Sequence, residues 1–327
     1  GLASFPNLYR PDFVRYLMDM APDRRHFVAA YRGDEILAFL GNLPRTFQYQ
    51  GKTFRAILSC LLVSHKEYAR KGLAQAVIRE ALKINQEITH YDFALLYLES
   101  GHRSSRLIEK FKQEGQPLQF LKKMFVLGRV LDLERVVYSE GLKNWEKAAI
   151  KLWGAHRVPK SNLSDHLQLE DFEPGDLGEA TKLLNSYAGQ VSLARVLLNQ
   201  QELLRELAFP GVSKTLSIKK EGKFIGLLNY FDHQHIGKSV ERWAWLNHIY
   251  LEALSASEKV WIINSFLNYL QRQGTIGVIE WNKGYYPNGF LYRSRFFPYF
   301  RSVNLYAWVF NQNLTFRPMK SVYEVQI

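Results

Sequence analysis

Residues 61–74 read LLVSHKEYARKGLA and join two segments whose apolar residues follow different periods. The preceding segment, 54–63, is largely apolar on both faces, which is typical of a central strand in a sheet. The following segment, 71–88, carries apolar residues at helical spacing, which predicts an amphipathic helix. A buried strand is therefore expected to run through a short polar turn into a long helix.

The start of this helix suits a phosphate group. The first amides of a helix have no acceptor within the helix and lie at the positive end of its dipole. Gly72 and Ala74 leave room for an approaching anion, and Arg70 and Lys71 add positive charge. A basic helix start that contains a small residue is an equally good interpretation of these residues alone.

The segments around this junction alternate between strand and helix patterns. Two apolar runs on either side of Gly33 predict a β-hairpin before the junction. We predict strands at 26–31, 36–40, 46–49, 93–98 and 120–131, and helices at 105–113 and 142–153. Strands thus surround one long helix.

The same order of elements recurs in the second half of the chain. The 327 residues are about twice the length of a usual domain, and a polar segment with a proline, 158–165, separates the halves. The pattern predicts strands at 167–172, 215–219, 224–231, 243–251 and 276–281, and helices between 177 and 207 and at 258–272. We predict an α/β fold with two tandem domains, 1–157 and 167–327, each a mixed twisted β-sheet flanked by helices, and a linker at 158–166.

The corresponding loop of the second half is unsuited to phosphate. In an overlay of the two halves, Lys259 takes the place of Gly72 and Trp261 takes the place of Ala74. Glu258 adds a negative charge beside them. Because bulk and negative charge both oppose a pyrophosphate, we expect one phosphate site, in the first half, with the second half serving structure or acceptor recognition.

The junction resembles the phosphate-binding loop of the GNAT superfamily of acyl-CoA-dependent N-acyltransferases. In that family a β-hairpin precedes a long central strand, and a loop of pattern Arg/Gln-x-x-Gly-x-Gly/Ala opens the next helix and holds the CoA pyrophosphate. Residues 69–74 read ARKGLA, which matches the last two signature positions and has Ala69 at the first. The resemblance covers 26–130 well and 167–325 by element order alone, as in tandem GNAT proteins such as mycothiol synthase.

The resemblance implies that the central strand and the strand after the helix part, so that pantetheine lies between them. Backbone N–H groups near 61–63 would bond the pantetheine and polarise the thioester carbonyl. The residues implied for binding acyl-CoA are Leu61, Leu62, Val63, Ala69, Arg70, Lys71, Gly72, Leu73 and Ala74.

An amine that attacks the thioester needs a group to accept its proton. Glu99 is the first candidate because it follows strand 93–98 and should lie at the mouth of the parted strands. His65 and His102 are the second candidates. A carboxylate at a strand end and a histidine in a loop are more often simple surface residues, so each role is a hypothesis.

The departing thiolate often takes a proton as well. The family often uses a Tyr in the helix after this strand, and counting back from Gly115 puts Phe111 at that place. Phenylalanine cannot donate a proton. Tyr97 or Tyr68 could substitute, or the thiolate leaves unaided.

The composition excludes several other classes of protein. With 47% hydrophobic and 23% charged residues the chain is not a disordered protein, and no apolar stretch reaches the roughly 20 residues of a membrane span. The start has no secretory pattern, so we expect a cytoplasmic location. The single cysteine, Cys60, excludes an internal disulfide framework and is interpreted as packing. His233, His235 and His248 lack a carboxylate-rich partner motif, so we expect no metal.

Two features leave the partner open. The net charge of +12 favours polyanions without choosing among nucleic acid, a phosphorylated cofactor and an anionic membrane. Region 281–310 is dense in aromatic residues, which favours core packing at a domain interface over an acceptor groove or a surface for single-stranded nucleic acid.

The leading hypothesis is an N-acyltransferase that moves an acyl group, most simply acetyl, from CoA to the amine of a small molecule or peptide. One alternative is a binding protein with the same architecture that uses its basic surface for a polyanion or nucleic acid. Another is a transferase with an aminoacyl-tRNA donor, whose sign would be salt-sensitive RNA binding.

Overall fold

The computed structural model describes residues 10–68, 71–101, 103–159 and 166–324. The strands are β1 (Phe27–Arg32), β2 (Glu35–Tyr49), β3 (Lys52–Ser64), β4 (Phe93–Glu99), β5 (Leu118–Val130), β6 (Leu167–Asp171), β7 (Leu193–Arg195), β8 (Ser213–Lys220), β9 (Lys223–Ile236), β10 (Val240–Tyr250), β11 (Gly277–Trp281), β12 (Phe297–Val309) and β13 (Val322–Tyr323). The helices are α1 (Pro11–Met20), α2 (Leu73–Lys83), α3 (Arg103–Gln113), α4 (Leu133–Glu140), α5 (Asn144–Leu152), α6 (Leu177–Asn185), α7 (Gln200–Ala208), α8 (Ala256–Arg272) and α9 (Gly289–Arg293). The predicted α/β class is confirmed.

The chain divides into two compact units that are each discontinuous in sequence. One unit comprises Gly1–Tyr16, Phe125–Tyr187 and Asn199–Phe300, and the other comprises Leu17–Met124, Ala188–Leu198 and Arg301–Ile327. The predicted domains, 1–157 and 167–327, are continuous instead. The division by repeated element order therefore stays a prediction, and the predicted linker lies largely outside the described residues.

The unit that contains the junction is built on a mixed sheet in the order β13-β7-β2-β3-β4-β12. The hairpin strand β1 pairs with β2, and β2 pairs antiparallel with β3. β3 and β4 run parallel, because α2 connects them, and β12 pairs antiparallel with β4. The hairpin, β3, α2 and β4 follow one another in the chain in the order that the sequence predicts.

The helix α2 packs on this sheet through the stripe that its sequence pattern predicts. Val77 and Ala81 are buried against Val28, Ala38 and Leu40 of the hairpin. The chain leaves α2 through a π-helical turn, Ile84–Ile88, before β4. Burial of this apolar stripe fixes the end of β3 and the start of α2 relative to each other.

The other unit repeats this arrangement with β5-β11-β10-β9-β8-β6. β8, β9 and β10 are antiparallel neighbours, and β10 and β11 run parallel with α8 between them in the chain. Trp243 of β10 covers Gly277 of β11 so closely that a Cβ at Gly277 would lie 2.4 Å from the indole ring. A residue with a side chain at this position would displace the tryptophan.

The sequence patterns misplace the end of one strand and miss several elements. The predicted end of a strand at 41–44 is wrong, because β2 continues through Pro44 to Tyr49. Pro44 lies between the part of β2 that pairs with β1, up to Gly41, and the part that pairs with β7, from Phe47. No ladder hydrogen bond is needed on that side, so a residue without an N–H is tolerated. The helices α1, α4 and α9 and the strands β7, β12 and β13 were not predicted.

A buried guanidinium forms hydrogen bonds with the backbone of the segment after α5, at residues 155–157. Arg129 of β5 is fully buried and donates hydrogen bonds to the carbonyl oxygens of Ser294 at 2.9 Å, Val130 at 2.6 Å and Arg157 at 2.6 Å, and also to that of Ala155. Burial lowers the pKa of Arg129 to about 10, so the group keeps its charge at neutral pH. Its charge is thus compensated by carbonyl dipoles.

We expect Arg129→Met to destabilise the protein by about 3 kcal/mol or more, because several buried carbonyl groups lose their donor. Urea denaturation measures the change. Arg272→Met, at an exposed position at the end of α8, is the control and should change stability by less than about 0.5 kcal/mol. Equal effects of the two substitutions would show that the buried network contributes nothing.

A buried histidine makes the stability depend on acidity. His233 packs against the rings of Trp245, Phe13 and Phe231 with centroid distances of 4.8, 5.8 and 6.0 Å. Burial lowers its pKa to about 3, and the charges of His235 and Arg10 act in the same direction. The folded protein therefore resists a proton that the unfolded chain accepts at a pKa of about 6.5.

The stability from neutral His233 is complete above pH 6.5 and is lost as the pH falls toward 3. We expect His233→Phe to remove about 1.4 kcal/mol per pH unit from the slope of unfolding free energy between pH 6 and 4. Urea titrations at several pH values measure both slopes. An unchanged slope in the variant would contradict the assignment.

Candidate functional site

The candidate site begins where β3 and β4 stop pairing. The two strands are in register only through residues 56–59 of β3 and 93–96 of β4. β3 then continues to Ser64 and β4 to Glu99 without further pairing to each other in the described residues. The strands therefore part at this end of the sheet, as the family resemblance implies.

A β-bulge lies in β3 at this point. Cys60 pairs with Gly41 and Val63 pairs with Phe39, so β3 has one residue more than β2 between these pairs. Leu61, inside the bulge, has a φ of 54°, in the left-handed region that non-glycine residues rarely adopt. A bulge changes the direction of the backbone groups of its strand. In the part of the chain that the structure describes, no side chain hydrogen-bonds to the backbone of Leu61.

The helix that follows starts without a side-chain cap. Gly72 is the N-cap residue of α2, with a φ of 80°, and a Cβ there would meet no atom within 4 Å. Among the described residues no side chain caps the amides of the first turn, and Lys71 lies close by with its Nζ 4.7 Å from the ring centroid of Tyr68. Ala69 and Arg70 lie outside the described residues. This is the geometry that an anion needs at a helix start.

The N-terminus of the corresponding helix in the other unit is capped by side chains. The N-cap of α8 is Ser255, whose Oγ accepts a hydrogen bond from the amide of Glu258, while the carboxylate of Glu258 accepts one from the amide of Ser255. Lys220 binds the same carboxylate at 2.8 Å, and these hydrogen bonds lower the pKa of Glu258 to about 2. The sequence overlay that places Lys259 opposite Gly72 is wrong, because the loop before α8 is shorter.

In the second half, side chains also bind the backbone groups where the two parallel strands part. β10 and β11 pair only through residues 243–245 and 277–279, and β10 also carries a bulge, between Leu246 and Ile249. Here the hydroxyl of Tyr285 accepts a hydrogen bond from the amide of Ile249 at 3.1 Å and donates one to the carbonyl of Asn247 at 3.2 Å. Lys283 donates to the same carbonyl at 3.2 Å. Side chains of the protein therefore form hydrogen bonds with the backbone amide and carbonyl groups of this bulge.

The catalytic candidates lie at different places around the opening. Glu99 ends β4, and its Oε1 is 3.7 Å from Nε of Arg301. Tyr97 lies two residues earlier, so its side chain leaves the same face of β4 as that of Glu99. His65 is exposed in the turn after β3, and its Nδ1 accepts a weak hydrogen bond, 3.4 Å long, from the amide of Glu67. His102 lies outside the described residues.

The surroundings of Tyr97 could not be predicted from the sequence around it. Its hydroxyl is buried and has no hydrogen-bond partner among the described residues. Burial raises its pKa well above the usual value, and the negative charge of Glu324 adds to this while Arg45 opposes it. Glu324 lies 3.5 Å from Arg45 and 4.0 Å from Arg195, and all three side chains are buried. A charged residue inside an apolar strand, as Arg45 is, was the one sequence signal for this cluster.

Several residues singled out by their chemistry are core residues. Phe111 packs in the core against the ring of Trp308 at 5.0 Å. Cys60 is buried, which raises the pKa of its thiol to about 12 and agrees with packing. His248 is bound to Glu206 at 2.6 Å. Within the described ranges no group of three His, Cys, Asp or Glu side chains could hold a metal ion.

Six of the twelve aromatic side chains in region 281–310 are buried among the described residues. Those that are buried include Trp281, Tyr285, Tyr286, Phe290, Phe296 and Trp308. Buried rings cannot stack on a nucleic acid. Packing is confirmed for these residues, whereas their predicted place at a domain interface stays a prediction.

Comparison with solved structures identifies the fold. Saccharomyces cerevisiae N-myristoyltransferase with bound myristoyl-CoA is similar at a TM-score of 0.74 and 14% identity, over 98% of this chain and 81% of that one. A GCN5-related N-acetyltransferase from Kribbella flavida is similar at a TM-score of 0.55 and 11% identity, over 93% of this chain and 64% of that one. The chain has the GNAT fold.

This similarity establishes the fold alone. No protein-family model and no curated protein matches the sequence. The similarity to mycothiol synthase stays a prediction. In the parts of the chain that the structure describes, no helix is both long enough and apolar enough to cross a membrane.

Proposed function

We propose that this protein is an N-acyltransferase that takes an acyl group from acyl-CoA and transfers it to an amine. The observation that carries the proposal is the contrast between two similar halves. At β3 and α2 the strands part and the helix start lacks a side-chain cap, whereas at β10 and α8 the same positions are filled by Tyr285 and capped by Ser255. Among the described residues, the first half thus leaves uncapped and unfilled the positions that the second half occupies with its own side chains, and this supports a ligand site in the first half.

The donor would bind along this opening. The pyrophosphate of CoA would accept hydrogen bonds from the first amides of α2, Leu73 and Ala74, next to Gly72 and the positive charges of Arg70 and Lys71. The pantetheine would lie between β3 and β4, beyond their last pair. The amides at 61–63 would then bond the pantetheine and the carbonyl oxygen of the thioester.

The reaction would be a direct transfer. The nitrogen of the neutral amine attacks the thioester carbon, negative charge develops on the carbonyl oxygen, and the bond to sulfur then breaks to release the CoA thiolate. Glu99 would accept the proton that the amine loses. Tyr97, whose raised pKa keeps its hydroxyl protonated, could donate a hydrogen bond to the oxygen or the sulfur.

The structural neighbours support the class of donor. The yeast enzyme with this fold carries myristoyl-CoA, and the Kribbella protein is a GCN5-related N-acetyltransferase. Acetyl and long-chain donors are thus both compatible with the architecture. The proposal specifies an acyl-CoA, and the expectation of an acetyl group and of a small-molecule or peptide amine is tested separately.

The first test is binding of the donor. Free acetyl-CoA or myristoyl-CoA at about 100 times its Kd should stabilise the native state by about 2.7 kcal/mol and raise the Tm by about 5 °C. Differential scanning fluorimetry measures the shift. The donor with the larger shift at equal concentration identifies the preferred chain length, and no shift with either would overturn the proposal.

The second test compares two variants in which Gly72 is replaced by residues of nearly equal shape, Asn and Asp. Asn and Asp both tolerate a positive φ, but only Asp adds a negative charge at the helix start. We expect Gly72→Asp to weaken CoA binding at least about tenfold relative to Gly72→Asn, with both variants folded. Isothermal titration calorimetry with CoA measures both. Equal affinities would mean that the pyrophosphate lies elsewhere.

The third test concerns the proton acceptor. With an amine acceptor found by release of free CoA thiol, Glu99→Gln should lower kcat at least about a hundredfold and leave the Kd of the donor nearly unchanged. Glu109→Gln, on the exposed side of α3, is the control and should keep full activity. A Glu99→Gln variant as active as the control would exclude Glu99 as the base.

A further inference from the structure

The outer face of α5 is apolar although it is exposed to solvent. Trp145, Ala148, Ala149 and Leu152 follow the spacing i, i+3, i+4 and i+7, so they form one stripe along the helix. All four are exposed, Trp145 to 57% and Leu152 to 92%. Only Ile150 of this helix is buried. A surface helix normally places its apolar stripe on the core, and α5 places a second one outside.

More exposed apolar side chains occur at the end of α5 and on other elements of the same unit. Trp153 directly follows α5 and is 48% exposed, and Tyr138 near the end of α4 is 62% exposed. Ile236 and Val240 are exposed on either side of the turn between β9 and β10. That turn is fastened to the end of α4, because the amide of Lys238 donates to the carbonyl of Ser139 at 2.9 Å. The exposed apolar groups thus belong to neighbouring elements of one unit.

Positive charges flank the stripe. Lys143 precedes α5, Lys151 lies in its last turn, and Lys238 occupies the turn between β9 and β10, and all three are exposed. Two nearby carboxylates are engaged within the surface. Glu146 accepts a hydrogen bond from the amide of Lys143 at 2.7 Å, and Glu134 pairs with Lys147 at 2.6 Å. The lysines at the edge of the stripe therefore give it a positive rim.

We propose that this surface, formed by Trp145, Leu152, Trp153 and the three lysines, docks onto an anionic phospholipid bilayer. Trp and Tyr place their apolar rings in the interface of a bilayer while the indole N–H and phenol O–H stay hydrated, and lysine side chains extend to the lipid phosphates. The net charge of +12 adds long-range attraction to an anionic leaflet. The proposal is independent of the acyl-CoA site.

The geometry specifies shallow and reversible binding. α5 has nine residues, and two of its stripe residues are alanines, so the apolar area that can enter the interface is small. Binding of this kind needs both the apolar contact and the charge attraction. It should therefore be lost in neutral bilayers and weaken at high salt.

The test is cosedimentation of the full chain with vesicles. We expect binding to vesicles of equal parts phosphatidylcholine and phosphatidylserine, weak or no binding to pure phosphatidylcholine, and release at high salt. Leu152→Glu should lower the bound-to-free ratio on the anionic vesicles about tenfold, because it removes the most exposed apolar side chain and adds a negative charge. Since Leu152 is almost fully exposed, the variant should keep the Tm of the parent.

Leu198→Glu is the matched control. Leu198 is an exposed apolar residue, at 73%, outside this surface, and its substitution should leave vesicle binding unchanged. Failure of the parent chain to bind the anionic vesicles would overturn the proposal, and so would equal loss of binding in the two variants. A parent chain that is dimeric in light scattering and becomes monomeric with Leu152→Glu, without binding vesicles, would assign the surface to a second copy instead.

Discussion

Every backbone amide that leaves water must find an acceptor, and this constraint shapes the opening between β3 and β4. A strand satisfies its amides through its neighbours, and a helix satisfies all but those of its first turn. β3 loses β4 as a neighbour after residue 59, and α2 begins at a glycine that cannot cap it. The amides concentrated in this small region are what the proposed donor would use, since a thioester and a pyrophosphate are both acceptors.

The second half of the chain satisfies the same constraint from within. Its parallel strands also part, and its central strand also has a bulge, but Tyr285 and Lys283 supply the polar partners that a ligand would bring. At α8, Ser255 and Glu258 cap each other. The two halves share the arrangement of elements and differ in the length of the loop before the helix and in the side chains at these positions. Residues of the loops and strand ends thus decide whether the protein itself binds these polar groups.

The sequence was informative where one period or one turn residue decides the structure. The change from strand to helix period at 61–74 predicted β3 and α2, and the family resemblance implied the opening between β3 and β4. The bulge at Leu61 could not be predicted, because it depends on the register between β2 and β3. The cluster of Arg45, Arg195 and Glu324 joins residues far apart in the chain, so only the folded structure brings them together. The two discontinuous units could not be predicted for the same reason, because each joins segments that are far apart in the chain.

The structure accepts two local costs at the proposed site. α4, α7 and α8 begin at Asp132, Asn199 and Ser255, whose side chains accept hydrogen bonds from the first turn. Gly72 gives α2 no such bond, at a cost of a few tenths of a kcal/mol, and Leu61 in the left-handed region costs roughly 1 kcal/mol more. Strain of this kind persists where the surrounding structure holds it, and it often marks a functional site. Here both costs fall close to the junction of β3 and α2, one in the bulge of β3 and the other at the N-cap of α2. A ligand with acceptors at this spacing would recover the energy, which is the physical reason to place the donor there.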